Sequence, residues 1–321
     1  MEHMNCALCG KDDAAPVFKT RDRNWRLPGE FTLVRCRVCG LAYLDPRPTP
    51  EEMQSYYPEA FAARGAAADK QAAAIERSME CRARPLLNRK QSGKLLDVGC
   101  SDGQFLVYMR KLGWSVYGVE PREVSARTAR EQFGLDVFHG YVENADFPLG
   151  FFDAITLNHV FEHVHNPLEI AGRINELLSP GGIAMIEVPN FASLESRVFG
   201  ERWVGVDAPR HLYQFTPKTL RATLERGGLR VLEIVQGSDI GPYKMGYSES
   251  LRHLISDLGI RKYPQKPLTV AESSETIKTA ARESTSVSAG HAIESLVFAA
   301  AAAAANAIKM GSRITAIASK E

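Results

Sequence analysis

Apolar and polar positions are distributed unevenly along the chain. From Lys94 onward short apolar runs alternate with amphipathic stretches. Lys94–Val98, Ser115–Val119, Asp136–Phe138, Ala154–Leu157 and Ile183–Val188 read as strands, and Gln104–Lys111, Arg122–Gln132 and Pro167–Leu178 as the helices between them. Alternation of this kind implies right-handed crossovers and an α/β, doubly wound, mostly parallel sheet. Pro217–Arg226 continues it as a helix closed by Gly227-Gly228, followed by a strand at Leu229–Val235. There the pattern stops. Residues 237–290 are polar and mixed, and Glu272–Ser288, rich in Ser, Thr and Glu, reads as mobile. An alanine-rich helix at about 291–309 and a final strand at Arg313–Ser319 complete the chain. Ahead of the alternating part, Thr49-Pro50-Glu51-Glu52 is a helix start, with proline and acids in the first turn, and Gln71–Lys90 reads as a second helix.

These patterns divide the chain into a cysteine-bearing module at 1–48, a helical connector or lid at 49–92, an α/β core at 93–236, an insertion at 237–312, and the last core strand at 313–321. A short hairpin would join the last two strands, so the insertion suggests a lid, a dimer surface or a contact with a membrane surface. Seven consecutive alanines, Ala299–Ala305, favour a packed helix over an interfacial one.

Composition narrows the class. At 45% hydrophobic and 24% charged, with a formal net charge of +1, the chain is an ordinary globular protein without an extended nucleic-acid surface. Met1–Gly10 lacks the apolar core of a secretory signal, and the longest uncharged apolar run, Ser295–Ile308, is too short to span a bilayer. The expected compartment is the cytoplasm, where thiols stay reduced. Paired cysteines at short spacing then read as metal ligands. Cys6-Ala7-Leu8-Cys9 and Cys36-Arg37-Val38-Cys39 are two such knuckles, each followed by a glycine, Gly10 and Gly40. Glycine permits a tight turn that aims backbone N–H groups at the thiolates. Four thiolates make a closed tetrahedral site, the form of structural rather than catalytic zinc. Unligated buried cysteines are the plainer alternative.

The most informative stretch is Leu95-Leu96-Asp97-Val98-Gly99-Cys100-Ser101-Asp102-Gly103: an apolar strand, an acid, and a glycine-rich turn opening a helix. The next strand ends in Val119-Glu120, and a carboxylate there can accept hydrogen bonds from both hydroxyls of a ribose. A nicotinamide-binding turn requires G-x-G-x-x-G with the pyrophosphate at the helix start. That spacing is absent, and Asp102 would repel a pyrophosphate. The loop instead resembles the D-x-G-x-G-x-G motif of class I S-adenosylmethionine-dependent methyltransferases, whose cofactor carries a sulfonium and an amino group that suit acids. The segment Phe152–Val164 resembles that family's fourth strand and the turn after it, and Pro180-Gly181-Gly182 its turn before the fifth strand. The resemblance covers about residues 90–236 and the last strand. More narrowly, the cysteine module ending in Cys-Gly-Leu-Ala-Tyr, the Asp45-Pro46-Arg47-Pro48 turn, and Trp203 with Pro209-Arg210-His211-Leu212-Tyr213 look like zinc-ribbon methyltransferases of sugar, polysaccharide and natural-product pathways.

The resemblance implies S-adenosylmethionine held by Asp97, Gly99, Cys100, Ser101, Gly103, Glu120, Pro121, Tyr141, Val142, Glu143, Asn158 and His159, and structural zinc on Cys6, Cys9, Cys36 and Cys39. Ser101 replaces the middle glycine, which fits if its φ is negative. Tyr141 stands where many relatives place an acid for the adenine amine, so Glu143 or a backbone group serves there instead. Methyl transfer mainly requires positioning, plus a base for an oxygen or carbon nucleophile. Candidates are His163 and Glu162 after the fourth strand, and His211 and Tyr213 after the fifth. His159 and His163 would share a face if their turn is helical. Bracing of the next helix is the bland role for Glu162 and His163. The implied acceptor is a small molecule, a sugar or a polysaccharide precursor. The competing reading is a zinc-ribbon RNA-binding protein or RNA methyltransferase, for which Arg77, Arg82, Arg84, Arg89, Lys90 and Lys94 would form a basic stripe.

Overall fold

The structure is a computed structural model that describes residues 1–57, 72–237, 245–258, 301 and 303–320. Three antiparallel strands come first: β1 (Ala14–Thr20), β2 (Phe31–Cys36) and β3 (Ala42–Leu44). A short helix α1 (Pro50–Met53) follows, with a complete capping box between Thr49 and Glu52. Helix α2 (Ala72–Leu87) leads into the alternating region: β4 (Lys94–Val98), α3 (Gln104–Lys111), β5 (Ser115–Glu120), α4 (Glu123–Phe133), β6 (Asp136–His139), β7 (Phe152–Asn158), α5 (Pro167–Leu177) and β8 (Leu178–Pro189). Beyond it lie α6 (Leu194–Phe199), β9 (Tyr213–Gln214), α7 (Pro217–Arg226), β10 (Arg230–Gly237), α8 (Met245–Asp257) and β11 (Arg313–Ser319).

Seven strands form one sheet in the order β10-β11-β8-β7-β4-β5-β6. The five from β8 to β6 are parallel, while β11 enters antiparallel between β8 and β10. The doubly wound fold read from the sequence is therefore the one observed. Its central strands are apolar on both faces, as buried parallel strands must be. Successive residues send side chains to opposite faces. Leu96, Val98, Ile155, Leu157, Ala184 and Ile186 join α5 and α7 in one core, while Leu95, Ala154, Ile183 and Met185 join α2, α3 and α4 in the other. Each such large aliphatic side chain contributes about 1.5–3 kcal/mol by leaving water. The Pro180-Gly181-Gly182 turn appears as a bulge inside β8, with Gly181 at φ +70°.

The N-terminal module does not stand apart. Its sheet runs β1-β2-β3-β9, so its last strand is donated by the loop that follows β8. Cys6, Leu8, Cys36, Leu41 and Tyr43 belong to the same apolar cluster as α5 and α7. A second cluster packs Phe31, Leu33 and Leu44 of the module on Phe191, Trp203 and Val206.

One expectation about the insertion changes. The stretch read as polar and mixed contains α8, which packs on α6 through Ser250 and was masked in the sequence by its modest amphipathic contrast. Of the alanine helix, residues 301 and 303–307 are helical and 308–309 form a turn, while its other residues and the segment Glu272–Ser288 lie outside the described residues. Among the described residues no helix is long and apolar enough to cross a membrane.

Candidate active site

The two cysteine knuckles are built alike. The N–H of Cys6 donates to the carbonyl of Lys11, and that of Gly10 to Cys6; the N–H of Cys36 donates to Leu41, and that of Gly40 to Cys36. Both glycines have positive φ, +74° and +84°, where a side chain would be strained. The four Sγ atoms lie within 4.8 Å of one another, with Cys6–Cys39 at 3.4 Å and Cys9–Cys36 at 3.5 Å. A tetrahedron of metal–sulfur bonds near 2.3 Å has edges of about 3.8 Å. The cage thus fits one tetrahedral ion after small outward shifts. Burial works against ionising Cys36, yet the amides of Cys39 and Val38 bring its thiol down to about 7.

The glycine loop follows β4 and holds the second cluster. Asp97 is fully buried and takes a hydrogen bond from the Thr156 hydroxyl at 2.6 Å and from Arg82 of α2 at 3.1 Å. Burial raises its carboxyl, and Arg82 and Thr156 oppose that shift. Arg82 also lies 4.1 Å above the ring of Phe105. Glu120, at the end of β5, accepts the amides of Ser101 (2.9 Å) and Arg122 (3.0 Å). Cys100 packs against Gly118, where a Cβ would lie 2.7 Å from its sulfur, so a small side chain is what the loop needs there. Gly103 has φ +85°, and a Cβ on it would meet Leu135 at 2.3 Å.

One loop expectation fails. Ser101 has φ +53°, not a negative angle. The left-handed turn that the missing glycine would have made is retained, because it points the Ser101 N–H at Glu120. Asn158 ends β7 beside Asp97, whose carboxyl it helps to hold down, and neither atom of its buried amide makes a hydrogen bond of good geometry among the described residues. An orphaned buried amide at the carboxyl ends of parallel strands calls for a polar ligand. Pro121, Tyr141, Val142 and Glu143 follow β5 and β6. Val142 is buried, while Pro121, Tyr141 and Glu143 are exposed. Gly140 donates its N–H to the Glu120 carbonyl, which closes the two strand ends together.

The third cluster is assembled from distant segments. The residues after β7 form a turn rather than a helix, because His159 is left-handed at φ +54°. His159 and His163 therefore do not share a face. His159, about half exposed, sits between the carboxylates of Glu162 (3.3 Å) and Glu187 (3.5 Å). Burial opposes its charge, but the two acids outweigh that and raise its pKa. His163 turns the other way. Its Nδ1 lies 2.9 Å from the carbonyl of Arg210 and 3.1 Å from the Tyr57 hydroxyl. A carbonyl only accepts, so Nδ1 carries the proton and Nε2 keeps its lone pair. Burial and neighbouring His211 bring His163 down to about 4, so it is neutral.

His211 is buried in the loop before β9, and its ring meets that of His163 edge-on, with centroids 4.6 Å apart. Its Nδ1 is 2.8 Å from the Gly205 carbonyl, which again leaves Nε2 with the lone pair. That Nε2 faces Glu162 and Asp207, each at 3.8 Å. Glu162 is buried, and its Oε2 has no hydrogen-bond partner among the described residues. Its backbone carbonyl receives the amides of Leu212 and Tyr213, which ties the two loops together. Burial opposes the Glu162 charge, and His159, His163 and His211 hold its carboxyl low. Tyr213 does not join them. Its hydroxyl donates to the His165 carbonyl at 2.9 Å and accepts from Arg47 at 2.8 Å, and burial raises it to about 12. It is a strut between the module and the core.

Three contributors escaped the sequence. Arg210 is wholly buried between Asp22 and Asp207. Glu195 of α6 is buried against Ser250 of α8 (3.0 Å), and burial lifts it to about 7. Asp257 ends α8 among Arg21, Arg23 and Arg202. Glu195 and Asp257 lie in no recognisable motif, and Arg210 stands in the Pro209–Tyr213 segment without any sign of its two carboxylate partners. A hint was available only in the density of charged residues at 21–23 and 201–210. The basic stripe also dissolves: Arg82 pairs with Asp97, Arg89 with Glu233 and Lys90 with Asp153, and Lys94 sits over the Phe151 ring.

Comparison with known proteins bears on the family and the fold. Residues 70–234 match the family described as "Methyltransferase domain". A ubiquinone biosynthesis O-methyltransferase of Maricaulis maris is 29% identical over 151 residues, which is 42% of this chain and 58% of that protein. One from Cereibacter sphaeroides is 29% identical over 175 residues, 51% of this chain and 70% of that protein. The chain therefore spans only 58% and 70% of the length of these two relatives. Among solved structures, the [4+2]-cyclase SpnF superposes with a TM-score of 0.53 at 18% identity, covering 85% of this chain and 97% of that one. At that identity the likeness bears on the fold alone.

Proposed function

Starting from a chain that belongs to the class I S-adenosylmethionine-dependent methyltransferases, we propose that it transfers a methyl group to a hydroxyl of a small molecule, with zinc held structurally by the four cysteines. The observation that carries this reading is the histidine pair: two imidazoles, each with Nδ1 on a backbone carbonyl so that Nε2 keeps its lone pair, beside a buried carboxylate. An imidazole nitrogen with its lone pair available can take a proton from an acceptor hydroxyl. The O-methyltransferase names of the relatives favour oxygen as the accepting atom.

The residues present fit the cofactor. Glu120 would take the ribose hydroxyls. Asp97 and Arg82 together would complement the zwitterionic methionyl end, and Asn158 offers it an unused amide. When bound, S-adenosylmethionine supplies an activated sulfonium methyl. The chain's own contribution is to orient the acceptor and hold its proton. His211 Nε2 accepts that proton, with His163 next to it as the alternative. Glu162 and Asp207 then stabilise the imidazolium, since both carboxylates face the same nitrogen. A sugar or polysaccharide-precursor hydroxyl and a phenolic hydroxyl suit this site equally. The RNA reading loses ground because four of the six basic residues are engaged within the chain.

Calorimetry with S-adenosylhomocysteine tests the cofactor half. Wild type should bind it, and Glu120→Ala should weaken binding by roughly 1–3 kcal/mol, the scale for losing a charged hydrogen-bond partner. Absence of binding by wild type would remove the proposal. Release of S-adenosylhomocysteine in the presence of catechols, as against nucleotide sugars, then identifies the acceptor class.

A further inference from the structure

We infer that Asp22, a residue of the cysteine module, is a positioning residue for the histidine pair, an inference that rests on the functional reading above. Asp22 lies in the loop between β1 and β2 and is wholly buried. Its carboxylate is fixed by three amides of its own loop: Asn24 (3.1 Å), Trp25 (2.9 Å) and Leu27 (3.3 Å). From that anchor it grips Arg210 with both oxygens, at 2.7 and 3.0 Å.

Arg210 is saturated by its surroundings. Nη1 donates to Asp22 and to the Tyr56 carbonyl, Nη2 to Asp22 and Asp207, and Nε to Asp207. A guanidinium has five N–H donors, so none is left over. Its planar fork cannot rotate without breaking several charge-assisted bonds together. The held side chain fixes the backbone that carries it. The Arg210 carbonyl accepts from His163 Nδ1, which selects that ring's tautomer. Asp207 is bound to the same guanidinium and to the Asn24 side chain, and its carbonyl accepts the His211 amide. Both rings are thus oriented by one buried ion cluster whose outer anchor belongs to the module. A buried arginine deprived of one of its two carboxylates is costly to keep in place, which makes the arrangement sensitive to Asp22 alone.

The test reads the imidazoles directly. In protein labelled with nitrogen-15 at histidine, wild type should show His163 and His211 as single Nδ1–H tautomers at pH 7.5. In Asp22→Asn, the His163 signal should become a mixture of tautomers, and kcat should fall at least tenfold. S-adenosylhomocysteine affinity should stay within about twofold of wild type, which a general loss of structure would not allow. The acid limb of the kcat profile should also move to lower pH, because a negative charge is lost from the group formed by Asp22, Asp207, Glu162, Arg210 and His159 around the pair. A folded Asp22→Asn protein with wild-type histidine signals overturns the inference. If Asp22→Asn does not fold, Asp22→Glu decides: it keeps the charge but displaces the fork by one methylene, and wild-type signals there likewise overturn it. Loss of the functional reading is separable, since unchanged turnover in His163→Ala and His211→Ala would remove the base while leaving the spectral result intact.

Discussion

The proposed cofactor end and the proposed acceptor end of the site are built in opposite ways. At the cofactor end, Asp97, Gly99, Ser101, Gly103 and Glu120 come from one strand–loop–helix–strand unit, closed by the Ser101–Glu120 bond and reached from outside by Arg82 and Thr156 at Asp97. At the acceptor end, Asp22, Tyr57, Glu162, His163, Asp207 and His211 come from four separated segments, held by a buried arginine and by a strand shared between two sheets. A local unit survives damage elsewhere in the molecule. A composite one depends on every segment that feeds it. The two ends should therefore fail separately, and the cysteine module should matter to one of them far more than to the other.

Removing the metal is the strongest way to break that contrast. Metal analysis should give about one zinc per chain, lost in Cys36→Ser. In small zinc modules the ion supplies roughly 10–16 kcal/mol of folding free energy. Here β9 and the shared apolar cluster brace the module, so it should loosen rather than unfold the core. Chelation should abolish turnover and lower the melting temperature, while S-adenosylhomocysteine still binds within about tenfold of the untreated affinity. Parallel loss of cofactor binding would show that the two ends are one unit.

Substitution of the histidines comes next in size. His211→Ala should lower turnover by roughly 10²–10⁴-fold, the scale for a removed base, with cofactor affinity unchanged. His163→Ala should lower it less if His163 only orients its neighbour, and as much if it is the acceptor of the proton. Near-normal turnover in both variants would leave positioning alone as the source of rate, with Glu162 the remaining candidate.

How much of this could be read from the chain follows the same division. The core strands and Pro217–Arg226 and Arg313–Ser319 were legible because period-two and helical patterns are local, and the glycine loop because its chemistry is contiguous. The cysteine knuckles were legible through spacing. The sign of φ at Ser101 was not, since it is set by Glu120 nineteen positions on. Neither was the role of Tyr213, whose hydroxyl is claimed by Arg47 and His165 once β9 pairs with β3. Asp22 carried no signal in the sequence and Arg210 stood only as a member of the Pro209–Tyr213 segment; the fold alone brings the two together as a buried pair.

Two buried titratable groups, Glu195 between α6 and α8 and His163 at the acceptor end, add a test through pH. Burial lifts Glu195 to about 7, above its unfolded value, so it keeps a proton that the unfolded chain releases. Its contribution makes stability fall as pH rises from about 4.5 to 7. His163, brought down to about 4 by burial and His211, lacks a proton that the unfolded chain binds. Its contribution makes stability rise from pH 4 to about 6.5. The two oppose each other over most of that window, each by about 3 kcal/mol at most. Urea unfolding of Glu195→Gln should therefore show stability climbing with pH more steeply than in wild type, and His163→Ala the reverse. Curves parallel to wild type in both variants would mean that neither group is shielded as the packing indicates.

The smallest effect belongs to the cofactor end, at Ser101. A non-glycine residue in the left-handed region carries about 1–2 kcal/mol of backbone strain. Ser101→Gly removes it, but glycine also gives the unfolded chain more freedom, which costs about 0.5–1 kcal/mol. The net expectation is a gain of up to about 1 kcal/mol, a few degrees at most in melting temperature. The N–H that reaches Glu120 is a backbone group and stays in place, so cofactor affinity should not change by more than about twofold. Ser101→Val tests the same point from the other side, because a β-branched side chain tolerates positive φ poorly. It should destabilise the loop and weaken cofactor binding together, by letting the amide swing away from Glu120. A loss of stability in Ser101→Gly larger than about 1 kcal/mol would mean that the serine hydroxyl, rather than the backbone angle, is what the loop retains at this position.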